Sequence, residues 1–179
     1  MTRSIEPRLE TTLIIFGGLP GTGKTTLARK LANHFGATYL RIDTVERALR
    51  NPNSGPLDDR GYRVAYAIAT DNLRLGRTVV ADSVNPLQIT RDAWRAAAMG
   101  TNARVVEIEV LCSDELEHRR RVELRHAGMP GLTFPTWQEV SARDYEPWDR
   151  AHIVVDTADT PVEQTLAELK LLVSDAAVA

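Results

Sequence analysis

The stretch Gly18-Leu19-Pro20-Gly21-Thr22-Gly23-Lys24-Thr25 matches the spacing G-x-x-x-x-G-K-[ST], and Thr26 follows it directly. Glycines at these positions let backbone N–H groups turn inward as an anion nest, where bulkier side chains would block the approach. A helix starting here adds its partly positive N-terminus. Lys24 then supplies a mobile charge for β and γ phosphates, and the Thr25 hydroxyl is suited to a magnesium ion. The loop as a whole, Gly18 to Thr26, reads as a nucleotide-phosphate site.

Phosphate binding does not say where a phosphoryl group goes, so the remaining chemistry lies with acids and arginines. Asp82 ends the apolar run "TVVAD" and has the form of the acid that stands near magnesium; it could instead cap a helix ahead of Pro86. In "RIDTVER", Asp43 lies four residues before Arg47, which brings a carboxylate and a guanidinium together on a short helix. That pair suits a base that takes a hydroxyl proton while the arginine holds the acceptor, though a helix cap with a surface ion pair uses the same residues. Which of Asp43 and Asp82 is the base stays open at this level. Asp156, before "TADTP", reads as turn chemistry. In "HRRRVELR", Arg121 and Arg125 share a helix face just before a Gly/Pro-rich stretch at 126–136, a place for lid cations that offset charge on a transferring phosphate. Arg119 and Arg120 read as surface residues. Arg60, Tyr62 and Arg63 are weaker candidates for the acceptor rim. Trp94, Trp137 and Trp148 read as core or cover, and Cys112 as a small apolar residue.

These groups need a scaffold that brings strand ends to one edge. Strands are expected at 12–17, 38–42, 78–82, 104–111 and 152–156, with helices near 24–34, 44–50, 58–75, 86–98, 114–126, 136–145 and 161–173. Ser113 opens "SDEL" with acids in a first turn, and Thr160 precedes Pro161 with Glu163 three residues on. Alternation of this kind implies an α/β fold, a parallel sheet covered on both faces, with the ligand crevice at the C-terminal strand ends.

Composition narrows the partners. The chain has 179 residues, 43% of them hydrophobic and 26% charged, which fits a single globular domain over 1–179 with its core at 12–173. A formal net charge of -2 offers no field for extended nucleic-acid binding or for acidic membranes. The single cysteine suits a reducing cytoplasm, and the apolar run before the glycines is too short for a membrane span. A monomer or homodimer is expected.

With "GLPGTGKTT", the D-x-x-x-R at 43–47, "VVADSVNP", the R-x-x-x-R at 121–125 and a last strand "HIVVDT", the chain resembles the small P-loop kinases of the AAA-type ATP-binding group. That group holds the zeta toxin, chloramphenicol phosphotransferase and gluconate kinase. The resemblance implies a three-layer fold with five parallel strands in the order 2-3-1-4-5, and ATP with Mg2+ as cofactors. It also implies Lys24 and Thr25 on phosphate and metal, Asp43 as base, Arg47 on the acceptor, and Arg121 and Arg125 in the lid. The expected activity is transfer of the γ-phosphoryl group to a hydroxyl of a small-molecule acceptor. The alternatives are an ATPase or nucleotide-binding switch with no such acceptor, and a polynucleotide-end kinase. A ring-forming AAA+ motor fits poorly, because Ser83, not Glu, follows Asp82.

Overall fold

The computed structural model describes residues 10–50, 58–128 and 134–176. Parts of two sequence-level expectations lie outside the described residues: 129–133 of the lid expected at 126–136, and 51–57 of the acceptor rim expected at 51–63. Five strands, β1 (Thr12–Gly17), β2 (Thr38–Arg41), β3 (Val79–Asp82), β4 (Arg104–Leu111) and β5 (Ile153–Asp156), form one parallel sheet in the order β2-β3-β1-β4-β5. The helices are α1 (Lys24–Phe35), α2 (Ile42–Leu49), α3 (Arg60–Arg74), α4 (Gln88–Ala98), α5 (Glu115–Gly128), α6 (Trp137–Ser141) and α7 (Val162–Ala176). Parallel neighbours need crossovers, and those helices supply them.

All six residues of β1 are buried, which is why "TLIIFG" reads as an unbroken apolar run and not an alternating one. Its side chains still alternate in direction. Ile14 and Phe16 pack with Leu27 and Leu31 of α1 and Leu169 and Val173 of α7. Leu13 and Ile15 pack with Ala65, Ala69 and Leu73 of α3 and Trp94 of α4. Two apolar layers thus clamp the central strand, and cutting Leu13 or Ile15 to Ala would cost about 2–5 kcal/mol. Among the described residues, no helix is long and apolar enough to cross a membrane.

Three local expectations change. Helix α6 covers five residues instead of the ten predicted at 136–145. It starts well, with a reciprocal cap between Thr136 and Glu139, but Pro147 disfavours helix at Glu146, and the carbonyls of Glu146 and Pro147 are both taken by Arg91. The cap of α5 is Asp114, whose Oδ1 accepts from the Glu117 N–H at 3.0 Å, while the Ser113 N–H donates to Asp156. Thr160 does not cap α7; its hydroxyl donates to the Ala158 carbonyl.

Candidate active site

The phosphate loop is shaped by what surrounds it. Gly18 has φ 134°, and a Cβ there would lie 2.3 Å from the Val110 carbonyl oxygen, so no other residue fits without displacing β4. Its N–H donates to the Val84 carbonyl at 3.0 Å, tying the loop to the segment after β3. Gly23 caps α1 in the left-handed region, at φ 91°, without a side-chain cap hydrogen bond. In the first turn of that helix the Thr26 N–H is taken by the Gly23 carbonyl at 3.0 Å, which leaves the amides of Lys24 and Thr25 as the donors an anion would use. Lys24 is 7% exposed, and its Nζ lies over the loop, 3.4 Å from the Leu19 carbonyl. Burial pulls its pKa below the ordinary lysine value, opposed by the charges of Asp82 and Asp43.

Asp82 ends β3 directly beside Phe16 of β1 and Arg41 of β2. Its Oδ1 accepts from the Thr25 hydroxyl at 3.3 Å, its Oδ2 accepts from the Tyr39 hydroxyl at 2.7 Å, and Arg41 Nε lies 3.8 Å away. It caps no helix. The first amide of α4, Gln88 N–H, is served instead by the Glu146 carboxylate. Thr25 and Asp82 offer two hard oxygens beside the loop, and this donor set fits Mg2+, which takes few protein ligands when phosphates supply others.

A cavity of about 680 Å³ runs from this corner towards α2. Lys24 and Thr25 line one end, and Asp43, Glu46 and Arg47 line the other. Asp43 sits in the first turn of α2, with its side chain 56% exposed and paired to Arg41. Glu46 is partly buried, and burial together with the Asp43 charge raises its carboxyl above the ordinary range. Tyr62 also lines this end, its hydroxyl pushed up to about 12 mainly by burial. Arg60 and Arg63 do not line the cavity, and Arg60 pairs with Asp58.

The two arginines that share a face of α5 part company. Arg125 lines the cavity, with its guanidinium 5.2 Å from the centre of the Phe134 ring. Arg121 does not: it donates to Glu117, to the Thr157 hydroxyl at 2.8 Å and to the Thr157 carbonyl at 2.9 Å. Thr157 in turn reaches the Thr22 carbonyl at 2.8 Å, so Arg121 braces the loop from behind. Asp156 takes the amides of Ser113 and Ala158, as its turn reading expects.

Several contributors were not picked out from the sequence. His118 holds the Pro20 carbonyl of the loop at 2.8 Å and meets Trp137 edge-on. Asn85, at φ 49°, donates to the Phe16 carbonyl at 2.8 Å and accepts from Trp94 Nε1 at 3.1 Å. Arg91 is fully buried; it donates to the carbonyls of Asn85, Glu146 and Pro147 and lies over the Trp148 ring. A Cβ on Gly17 would come within 2.5 Å of that ring, so the strap at 145–148 seals the exit of β1. Alternation within β2 puts Tyr39 and Arg41 on one side, but only the strand order reveals that Asp82 is their neighbour.

A family model for the AAA domain matches residues 13–137. An uncharacterised protein of Mycobacterium tuberculosis is 30% identical over 171 residues, which cover 87% of this chain and 33% of that protein. The chain thus spans about a third of the length of that relative. The cytidylate kinase of Methanopyrus kandleri is 27% identical over 181 residues, covering 88% of this chain and 91% of the enzyme. The structure of the Mycobacterium tuberculosis APS kinase in complex with AMPPNP and APS superposes with a TM-score of 0.67 at 20% identity, over 91% of this chain and 98% of that one. With its phosphate loop, 2-3-1-4-5 sheet and matched residues together, the chain belongs to the AAA-domain family.

Proposed function

We propose that the protein is a Mg-ATP-dependent phosphotransferase that moves the γ-phosphoryl group to a hydroxyl of a small-molecule acceptor. One observation carries this reading: a single cavity joins the phosphate loop to a carboxylate, Asp43, that comes from a different strand end and is exposed within it. Asp82 has its side chain only 1% exposed and both oxygens engaged, which suits a metal-side role and leaves proton removal to Asp43.

In this mechanism the loop amides and Lys24 hold the β and γ phosphates. When bound at Thr25 and Asp82, Mg2+ supplies electrostatic neutralisation of the phosphate oxygens. Asp43 takes the acceptor's proton as its oxygen bonds the γ phosphorus, and the bond from that phosphorus to the bridging oxygen of ADP breaks. Arg125 offsets the charge that spreads over the transferring group. Arg47 orients the acceptor, and Arg121 keeps the loop in shape. Kinase activities named for the similar proteins, on cytidylate and on APS, support phosphoryl transfer without fixing the acceptor. The lone thiol at Cys112 suits work in a reducing cytoplasm.

The test is ADP release from Mg-ATP across sugars, sugar acids, nucleosides, hydroxylated antibiotics, adenylylsulfate and 5′-hydroxyl oligonucleotides, with Asp43→Asn in parallel. Acceptor-dependent turnover lost in the variant is the expected result. Hydrolysis that needs no acceptor and survives in Asp43→Asn would sink the assignment and favour an ATPase or switch.

A further inference from the structure

Resting on the reading of this cavity as a phosphoryl-transfer site, we propose that the acceptor is an anion: a hydroxylated molecule whose carboxylate or phosphate is gripped by Arg47, Arg50 and Arg143 at the end remote from Lys24. The cavity is lined by five cations against two carboxylates, in a chain whose formal net charge is -2. Positive charge is therefore concentrated here against the overall balance. Lys24 and Arg125 account for the phosphate end. The other three come from separate places, Arg47 from within α2, Arg50 from its C-terminal boundary and Arg143 from just past α6, and all line the same cavity.

Their setting is distinctive: Arg29, Arg63 and Arg77 also have no carboxylate at ion-pair distance among the described residues, but they do not line the cavity. Arg41, Arg95, Arg121 and Arg150 are each held by carboxylates at ion-pair distance. Among the described residues, Arg47, Arg50 and Arg143 have no carboxylate at that distance. A lone arginine on a convex surface is simply solvated. Three facing one concavity repel one another, and an anion relieves that repulsion while accepting their forked N–H groups. Asp43 acts electrostatically on Lys24 while Arg50 and Arg143 act on Glu46, which orders the lining from the phosphate loop through the carboxylates to the arginines, so an anionic tail held by the arginines would leave a hydroxyl at Asp43.

The experiment is calorimetric titration of the full chain, saturated with Mg-AMPPNP, with D-gluconate and with inorganic sulfate, using D-glucose as neutral control and constant ionic strength. Wild type is expected to bind at least one anion and not glucose. The dissociation constant should rise about tenfold in Arg50→Gln and again in Arg143→Gln, the loss of one charge-assisted hydrogen bond each. Arg63→Gln, exposed and outside the lining, should match wild type. Tighter gluconate assigns a carboxylate acceptor, and tighter sulfate a phosphorylated or sulfated one. No anion binding to wild type, or equal binding by wild type and both cavity variants, overturns the proposal. Failure of the kinase reading looks different: AMPPNP does not bind, or anions bind but no acceptor yields ADP.

Discussion

The two ends of the cavity are built on opposite principles. At the loop end Asp82 and Lys24 are buried and spoken for, Asp82 by Thr25 and Tyr39 and Lys24 by the loop carbonyl, and the loop itself is held by Val84, His118 and Thr157, with Arg125 half-buried over Phe134. At the α2 end the side chains of Asp43, Arg47, Arg50 and Arg143 are exposed, and among the described residues the arginines have no carboxylate at ion-pair distance. A nucleotide triphosphate has one shape, so its site can be set in advance by packing. The acceptor end, carried on a short helix and a strap, can change residues without disturbing the sheet.

Substitutions at the two ends should therefore fail differently. Asp43→Asn should lower kcat by about 10²–10⁴-fold in a coupled ADP assay, with AMPPNP affinity unchanged, because only proton removal is lost. Lys24→Met should cost roughly 10²–10³-fold and weaken nucleotide binding as well. Equal effects of both on AMPPNP affinity would break the distinction. Arg91→Leu tests the structural side. It strips hydrogen bonds from the carbonyls of Asn85, Glu146 and Pro147, each worth about 1–3 kcal/mol when left unmet. A fall of about 3 kcal/mol in urea unfolding is expected. Tyr39→Phe sharpens the loop end further: removing one hydrogen bond to a buried carboxylate should cost about 1.5 kcal/mol of stability and raise the magnesium concentration needed for half-maximal rate.

The same contrast explains what could be seen in the sequence. The loop is a contiguous motif, β1 is an apolar run and β4 a β-branched run broken by Glu107 and Glu109, and the bounds 12–17 and 104–111 are legible residue by residue. Asp82 was legible as a strand-end acid. Its partners Tyr39 and Arg41 were not, since their contact depends on β2 lying beside β3. The spacing of Arg121 and Arg125 showed a shared face but could not show that Thr157, 36 residues away, would capture the first and not the second. Arg143 was hidden because 136–145 looked like continuous helix, and only Arg91 and Pro147 turn that segment into a strap.

The smallest expected effect probes the repulsion between the two carboxylates of the acceptor end. Glu46 has a folded pKa above its ordinary value of 4.5, from burial first and the Asp43 charge second. The folded state therefore holds its proton to higher pH than the unfolded chain does. Stability is lost as pH rises from the unfolded value through the folded one, and the deficit is complete above both. Glu46→Gln removes the titration, so the melting temperature of the variant relative to wild type should be higher at pH 7 than at pH 4. In an Asp43→Asn background the second cause is gone, and the same substitution should show a smaller pH-dependent gain. A gain of equal size in both backgrounds would mean that Asp43 and Glu46 do not feel one another, and that the acceptor end is two separate surfaces instead of one charged site.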